Sequence, residues 1–526
     1  MLAKPYRYLV AIVLALASLA SAQGDPDTIT VALSGNVETT DPHTASSRAV
    51  PFLENVYEPL VGLQGPTSEL SPVLAESVEV SEDQTVYTFH LRPGVTFHDG
   101  SALTSADVIY SFERVQALQA GPYWAIAYLE SMEAVDDLTV RMTIRPGGPP
   151  FPQAVSMVGI VSQDAFEAQA TADDPWAGTW AATNAAGTGP YVLAELVRGD
   201  RFVLEAYPDY WGGWDGEHFD RAVMLLVPEA STAQLMLERG EIDIAEAVPT
   251  EALPSLRQNP DIQVVERDGG VRVLYLNLNA AAGPTADPRV RKAINLAFDA
   301  EAFFEAVGGA FGPSDGPVPS DFLGGYKPEI PYAHVDLEEA RRLLREAGQE
   351  GMTLDVYFTT GDQPQELAAQ VLQAYLSQIG VQVNIIAQDF PAFVRAITAW
   401  GESERSASDP NFRMANFLYT PPRMPDAYAY LWYMYHSAAQ GGLGRNQGFY
   451  ENPRVDELIE QGALATDAEA RLAAYREAVD LIVEDAPQVN IGVQKVIYTL
   501  RADVGGFYMH PTWYPAIRIY PLYRQD

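Results

Sequence analysis

Strand-like and helix-like segments alternate along the second half of the chain, and this alternation limits the possible folds more than any other feature. The alternating segments lie at 271–279 (strand), 287–299 (helix), 352–359 (strand), 363–380 (helix) and 381–389 (strand). Strands separated by helices usually form parallel sheets that the helices cover. The sequence therefore predicts an α/β fold after about residue 200, and a helix is also expected over 231–248.

The preceding part of the chain is predicted to be rich in β-structure. In "TVYTFHLRPGV", Phe89 and its apolar neighbours alternate with His90 and Arg92, which places the polar pair on the outer face of a strand. Thr104 and Asp107 then form a capping-box pattern at the start of a helix. Residues 187–213 are predicted to form a hairpin followed by an aromatic turn.

The first residues have the pattern of an export signal. Lys4 and Arg7 precede an apolar run over 9–19, and Ala20-Ser21-Ala22 matches a signal-peptidase site before Gln23. The apolar run is about half of the ~20 residues that span a bilayer. We expect a cleaved signal peptide at 1–22 and, because the chain has no cysteine to accept a lipid, a periplasmic protein without an anchor.

Composition excludes several classes of function. The absence of cysteine rules out disulfides, thiol nucleophiles and zinc–thiolate sites. A formal net charge of −37 repels nucleic acid and anionic lipid. No lysine follows a glycine, so a Walker-type phosphate loop is absent.

One segment matches a catalytic signature. "GPSDG" at 312–316 is a G-x-S-x-G motif around Ser314, but Pro317 and Pro319 exclude the helix that must follow a nucleophile elbow. The seven histidines show no HExxH motif, although distant residues could converge on a metal. A secreted serine hydrolase and a metal receptor remain as alternatives.

Aromatic residues are concentrated near polar groups in segments that we interpret as loops. Each could be a core residue, but as a set they favour a binding cleft with stacking walls. The set comprises Tyr123 and Trp124, Tyr210, Trp211 and Trp214, Phe417 to Tyr419, Tyr428 to Tyr435, and Trp513 and Tyr514.

Short motifs spread over nearly the whole chain resemble family 5 of the extracytoplasmic solute-binding proteins of ABC importers, the dipeptide, oligopeptide and nickel-binding group. Each motif is weak alone, and their order makes the resemblance specific. They include "TDPHTA", "NVYEPLVGL", "SPVLAESVEVSED", "GTGPYVL", "YPDYWGG", "RGEIDIAEA", "DPRVRKAINLAFD", "IGVQVNI", "NPRVDELI" and "VGGFYMHP".

The resemblance implies a two-lobed periplasmic-binding-protein fold, type II-like, with an extra β-rich subdomain in the first lobe. Two lobes would close over a solute at a hinge. Mapped by motif, lobe I comprises 23–56, 205–276 and 496–526, the extra subdomain 57–204, and lobe II 277–495.

The resemblance also identifies a departure from the peptide-binding pattern. Peptide-binding members hold the free amine with an aspartate in the loop that corresponds here to "PPRMPDA", where Pro422 or Arg423 takes that position and Asp426 aligns with a later acidic residue. Arginine repels a cation. We therefore expect a peptide-like or other small oligomeric solute, with an oligosaccharide, an opine-type compound, a modified peptide or a metallophore as alternatives.

The resemblance further implies no cofactor and no catalysis. The expected partners are the ABC permease and ATPase, with no nucleic acid, and the protein is expected to be a monomer. The residues expected to form the cleft are Tyr123, Trp124, Asn277, Phe417, Tyr419, Arg423, Asp426, Asn446 and Trp513.

Overall fold

The computed structural model describes residues 27–45, 47–63, 65–66, 69–146, 148, 150–267, 272–314, 316–319, 326, 328, 335–419, 426–441, 446–510 and 516–525. The export signal expected at 1–22 lies outside the described residues. In the part of the chain that is described, no helix is both long and apolar enough to cross a bilayer.

The strands in chain order are β1 Thr28–Leu33, β2 Val61–Leu63, β3 Leu70–Pro72, β4 Ala75–Val80, β5 Val86–Leu91, β6 Leu129–Asp136, β7 Thr139–Ile144, β8 Tyr191–Val197, β9 Arg201–Ala206, β10 Arg221–Leu226, β11 Ile244–Ala245, β12 Ile262–Arg267, β13 Val273–Leu278, β14 Phe311–Gly312, β15 Thr353–Thr359, β16 Gln382–Gln388, β17 Ala415–Tyr419, β18 Gln488–Gln494, β19 Val496–Arg501, β20 Val504–Gly505 and β21 Tyr523–Arg524.

The α-helices in chain order are α1 Val50–Val56, α2 Ser105–Leu118, α3 Tyr123–Ile126, α4 Phe151–Val155, α5 Gln163–Glu167, α6 Gly178–Ala181, α7 Ala230–Glu238, α8 Leu253–Leu256, α9 Pro288–Ala297, α10 Ala300–Ala306, α11 Leu337–Glu346, α12 Gln363–Gln378, α13 Phe390–Gly401, α14 Ala427–Tyr435, α15 Pro453–Leu464 and α16 Ala468–Asp485. Short 3₁₀ helices lie at Ser47–Ala49, Thr250–Ala252, Pro284–Ala286 and Ser437–Ala439.

Two large sheets form the centres of the two lobes. The first has the order β12-β19-β11-β1-β10-β9-β8, and the second has the order β14-β18-β13-β17-β15-β16. Both sheets are mixed: β1 is parallel to β10 and β11, and β15 is parallel to β16 and β17, while β13 is antiparallel to β17 and β18. The parallel pairing predicted from strand–helix alternation forms between β15 and β16, whereas β13 is separated from them by β17, to which it is antiparallel.

A separate antiparallel sheet of order β4-β5-β7-β6 forms the extra β-rich block, and α2 packs over it around a core that includes Phe89, Val108 and Phe112. The hairpin of β8 and β9 forms as predicted, but it joins the seven-stranded sheet through pairing of β9 with β10. Strand β8 thus lies in the sheet of the first lobe although it falls within the range 57–204 assigned to the extra subdomain. The second sheet similarly starts at Val273, before the boundary at 277.

Local sequence signals predict the start of α2 correctly and overestimate the length of α7. Both bonds of the Thr104–Asp107 capping box form. Helix α7 ends at Glu238, and Gly240 follows with a φ of +69°. The residues beyond it cannot continue the helix predicted over 231–248, because Ile244 and Ala245 pair with β1 and β19.

Candidate functional site

The chain passes between the two large sheets at two adjacent places. One is the connection from β12 to β13, and the other is Lys495 between β18 and β19. The Gln494 backbone N–H donates to the Arg272 carbonyl oxygen at 2.9 Å, and the Arg272 Nη1 donates to the Gln494 Oε1 at 3.1 Å. This pair of single-chain crossings, the hinge region, is the kind of connection about which two lobes rotate, because torsions in a few residues absorb such a motion.

The extra β-rich block contacts the second lobe at α14. The Trp124 ring in α3 meets the Tyr433 ring edge to face with centroids 5.1 Å apart, and Ala429 packs into the core of the block. The Gln84 Nε2 also donates to the Thr466 carbonyl oxygen at 3.1 Å. Tyr123 and Trp124, both only partly buried, therefore lie where the block faces the second lobe.

Asp426 initiates α14 and is held within the second lobe. Its carboxylate accepts from the Tyr428 backbone N–H at 2.8 Å and from the Arg471 Nη2 at 2.9 and 3.0 Å. The residue is 3% exposed, and burial raises the pKa of its carboxyl although Arg471 acts in the opposite direction. The charge of Asp426 is therefore neutralised by a residue of α16, and this leaves little of it for a ligand cation.

Asn277 belongs to a buried polar cluster on the second sheet. It is 1% exposed, and its Oδ1 accepts from the Gln488 Nε2 at 3.0 Å, while the Gln488 Oε1 accepts from the Tyr435 hydroxyl. Its Nδ2, like that of the register partner Asn416, has no hydrogen-bond acceptor within the described ranges. A buried N–H group without an acceptor costs about 1–3 kcal/mol of stability. A water or a polar ligand group that accepts a hydrogen bond from these amides would recover that free energy.

Asn446 fixes the turn that follows α14. Its Nδ2 donates to the carbonyl oxygens of Tyr435, His436 and Tyr450, and its Oδ1 accepts from the Tyr450 backbone N–H. These four bonds use the whole side-chain amide. The same turn touches the end of β13, because the Ala280 N–H donates to the Gly448 carbonyl oxygen at 2.7 Å.

Strand β17 contains two of the expected cleft residues, Phe417 and Tyr419, and their environments differ. Phe417 is 2% exposed and packs in the core of the second lobe. Tyr419 is partly buried: its hydroxyl donates to the Asp362 Oδ1 at 3.1 Å, and the Arg272 guanidinium lies 3.9 Å from its ring centroid. Tyr419 thus joins the hinge to the second sheet, whereas Phe417 contributes packing.

Arg423 and Trp513, the remaining expected cleft residues, lie outside the described residues. Sequence reasoning included Tyr433 only within the aromatic run 428–435 and did not single out Arg272 or Arg471, although all three contact expected residues across the fold. The aromatic run 428–435, interpreted as a loop, forms α14 instead. An apolar aromatic run that follows an aspartate N-cap is the signal that could have identified this helix.

The Ser314 hydroxyl, the candidate nucleophile of the G-x-S-x-G motif, is engaged with the backbone. It donates to the Gly316 carbonyl oxygen at 3.0 Å. Within the described ranges, no three histidine, aspartate or glutamate side chains come together as a metal site.

Comparison with known proteins identifies the family. The model of the bacterial extracellular solute-binding proteins, family 5, matches residues 69–442. The chain belongs to this family. Its members bind solutes, which agrees with a hinge between two lobes and with the resemblance inferred from the motifs.

Individual relatives agree in fold and length. The probable D,D-dipeptide-binding periplasmic protein DdpA of Escherichia coli K12 is 28% identical over 83% of this chain and 82% of its own. A periplasmic binding protein of Helicobacter pylori in complex with the peptide STSA is 25% identical, with a TM-score of 0.79 over 95% and 98% of the two chains. The protein AgaA of A. tumefaciens R10, in complex with agropinic acid, is 25% identical, with a TM-score of 0.74 over 92% and 96%.

Proposed function

We propose that this protein is the solute-binding component of an ABC importer, and that it encloses a peptide-like solute between its lobes and presents it to the permease. The observation that carries the proposal is the pair of adjacent crossings at Arg272 and Lys495, together with the Trp124–Tyr433 contact between the extra block and the second lobe. A hinge region and an aromatic contact between the lobes support a cleft between them. Enclosure in such a cleft excludes water and strengthens polar contacts to the solute.

The solute that fits best has a blocked or absent free amine. The segment 420–425 reads "TPPRMP" and contains no acidic residue, while the next acid, Asp426, is already paired with Arg471. The structure of AgaA in complex with agropinic acid, an opine-type acid, is consistent with such a solute. An acylated or otherwise modified peptide or an opine would place a neutral or anionic group near Arg423, where a free amine would be repelled.

Native mass spectrometry of the protein as purified, followed by calorimetry with a dipeptide and its N-acetylated form, tests the solute class. We expect a copurified neutral or anionic solute and tighter binding of the acetylated form. A copurified mixture of free-amine peptides, or preference for the unmodified dipeptide, would contradict it.

A substitution pair tests the role of Arg423. Arg423→Asp should weaken binding of the copurified solute about tenfold or more, because a charge contact to a ligand is worth at least ~1.4 kcal/mol. Arg345→Asp, which makes the same charge change at an exposed position in the last turn of α11, is the control and should leave affinity unchanged. If both variants bound the copurified solute with equal affinity, Arg423 would not contact the solute. The proposed solute-binding role of the protein would be unaffected by that result.

We also propose that the mature protein is periplasmic, is not lipidated, acts as a monomer and catalyses no reaction. The hydrogen bond of Ser314 to a backbone carbonyl and the prolines that follow it support the absence of hydrolysis. A fluorophosphonate probe should leave Ser314 unlabelled, and light scattering should give the mass of one chain. Labelling at Ser314 would instead favour the hydrolase alternative.

A further inference from the structure

A cavity of about 320 Å³ lies in the first lobe, outside the cleft residues described above. Helix α1, the β2–β3 hairpin and, from the C-terminal segment, residues 508–510 and 518–521 line it, and none of the expected cleft residues that the structure describes does so. Pockets for small ligands start at ~300 Å³. The cavity is therefore large enough for a compact ligand rather than for single waters.

The positive charge in this cavity is already neutralised. The Arg518 Nε and Nη2 contact the Glu54 Oε2 at 2.6 and 2.5 Å, and its Nη1 donates to the Leu63 carbonyl oxygen at 2.7 Å. His510 is 5% exposed, and burial lowers its pKa to about 4, so it is neutral at physiological pH. The cavity thus presents no uncompensated cation from the described residues.

Glu58 provides the excess charge. Its Oε1 accepts from the Tyr210 hydroxyl at 2.8 Å, and its Oε2 accepts from the Trp211 Nε1 at 2.8 Å and the Thr188 hydroxyl at 2.9 Å. All three donors are neutral, and no described cation lies within hydrogen-bonding distance of this carboxylate. Glu58 is 8% exposed, so solvent compensates its charge poorly. With Glu54 and Arg518 cancelling each other, an ionised Glu58 leaves the cavity with one net negative charge.

Tyrosine side chains form part of the remaining wall. The rings of Tyr210, Tyr508 and Tyr520 line the cavity beside Glu58. The Tyr520 hydroxyl donates to the Gly213 carbonyl oxygen at 2.9 Å, and its ring meets that of Tyr210 edge to face at 5.1 Å. Aromatic faces attract cations by ~0.5–2 kcal/mol, more when the site excludes water.

We propose that this cavity is a second binding site, which takes the primary or methylated ammonium group of a compact organic cation with Glu58 as its counter-ion. The tyrosine rings enclose the alkyl part of the ligand and contact its positive end. The site is independent of the solute cleft, and its occupancy stabilises the packing of the C-terminal segment against α1.

Titration of the full mature chain with tetramethylammonium chloride, followed by NMR saturation transfer, tests the proposal. We expect saturable binding that Glu58→Gln weakens about tenfold or more, because removing the counter-ion removes at least ~1.4 kcal/mol. Glu76→Gln, an equal change on the exposed face of β4, is the control and should bind as the unmodified protein does. Unchanged binding in Glu58→Gln would overturn the proposal.

Two further variants keep the test decisive if Glu58→Gln is unstable. Ser156→Leu fills the cavity from a lining position without touching the carboxylate and should abolish binding. Trp124→Ala alters the solute cleft and should leave tetramethylammonium binding unchanged. If Trp124→Ala lost binding and Ser156→Leu retained it, the cation would bind in the cleft and the second site would be refuted. Equally tight binding of acetate, added as its sodium salt, would show that the cavity does not select a cation and would also refute the proposal.

The pH dependence provides an independent readout. Burial raises the pKa of Glu58 to about 7, and the hydrogen bonds from Trp211, Tyr210 and Thr188 and the charge of Arg518 lower it only in part. The cation should therefore bind about tenfold or more tightly at pH 8 than at pH 5.5, where Glu58 is mostly neutral. Glu54 stays ionised beside Arg518, and His510 stays neutral, across this range. Affinity that does not change with pH would contradict Glu58 as the counter-ion.

Discussion

Replacing Arg471 by glutamine should destabilise the second lobe strongly, because it leaves the buried Asp426 carboxylate without its cation. Asp426 and Arg471 have side chains only 5% and 21% exposed, and their shortest contact is 2.9 Å. Breaking a buried pair from one side costs about 3–5 kcal/mol. The partial exposure of Arg471 favours the lower end, about 3 kcal/mol, which corresponds to roughly 6–12 °C in melting temperature for a unit of 150–250 residues.

The pH dependence of this loss has a defined sign. Burial raises the folded-state pKa of Asp426, and removal of Arg471 raises it further. A raised carboxyl pKa contributes stability that is present below the unfolded value and is lost as pH rises through the folded value. The difference between Arg471→Gln and the unmodified protein should therefore be largest near pH 7.5 and should shrink as the pH falls toward 4.5.

Urea unfolding followed by tryptophan fluorescence at both pH values measures this difference. Asp426→Asn retains an N-cap side chain and serves as the second arm of a double-mutant cycle, in which the two losses should sum to more than the loss in the double variant. A loss below about 1 kcal/mol at pH 7.5, or one that grows on acidification, would refute the argument that Arg471 neutralises a buried charge.

Three further predictions concern the cleft, the extra block and the leader. Trp124→Ala should weaken binding of the copurified solute about tenfold or more, as truncation of a central aromatic residue does, and calorimetry measures this; unchanged affinity would remove Trp124 from the cleft. Thr104→Ala should lower the free energy of unfolding by about 1 kcal/mol through loss of the capping box, measured by urea titration, and no change would mean that the cap carries no net energy. Intact-mass analysis of the protein exported by a Gram-negative host should give an unmodified chain beginning at Gln23; a retained 1–22 segment would contradict the predicted cleavage.

Features decided by neighbouring residues could be predicted from the sequence. The capping box of Thr104 and Asp107, the strand containing Phe89 and the β8–β9 hairpin all depend on hydrogen bonds or turns within a few residues. The family also followed from local motifs, because their order along the chain is itself a sequence property. The helix over 231–248 failed at the point where pairing of Ile244 with distant strands overrode local helical periodicity.

The candidate site was less predictable because its contacts join residues far apart in the chain. Asn277 and Asn446 are buried as polar residues of the second lobe, and their partners Gln488 and Tyr435 have no local signature. Phe417 and Tyr419 are two residues apart on one strand and differ in role because one packs in the core and the other meets Arg272.

By itself, the sequence determined the family, the local elements and the absence of an acidic residue in the segment 420–425. Tertiary structure decided which sheet β8 joins, which cation neutralises Asp426 and which donors surround Glu58. The physical reason is the range of the interactions: caps and turns close within a few residues, whereas the partners of Asp426 and Glu58 lie 45 to 153 residues away and are chosen by packing of the whole lobe.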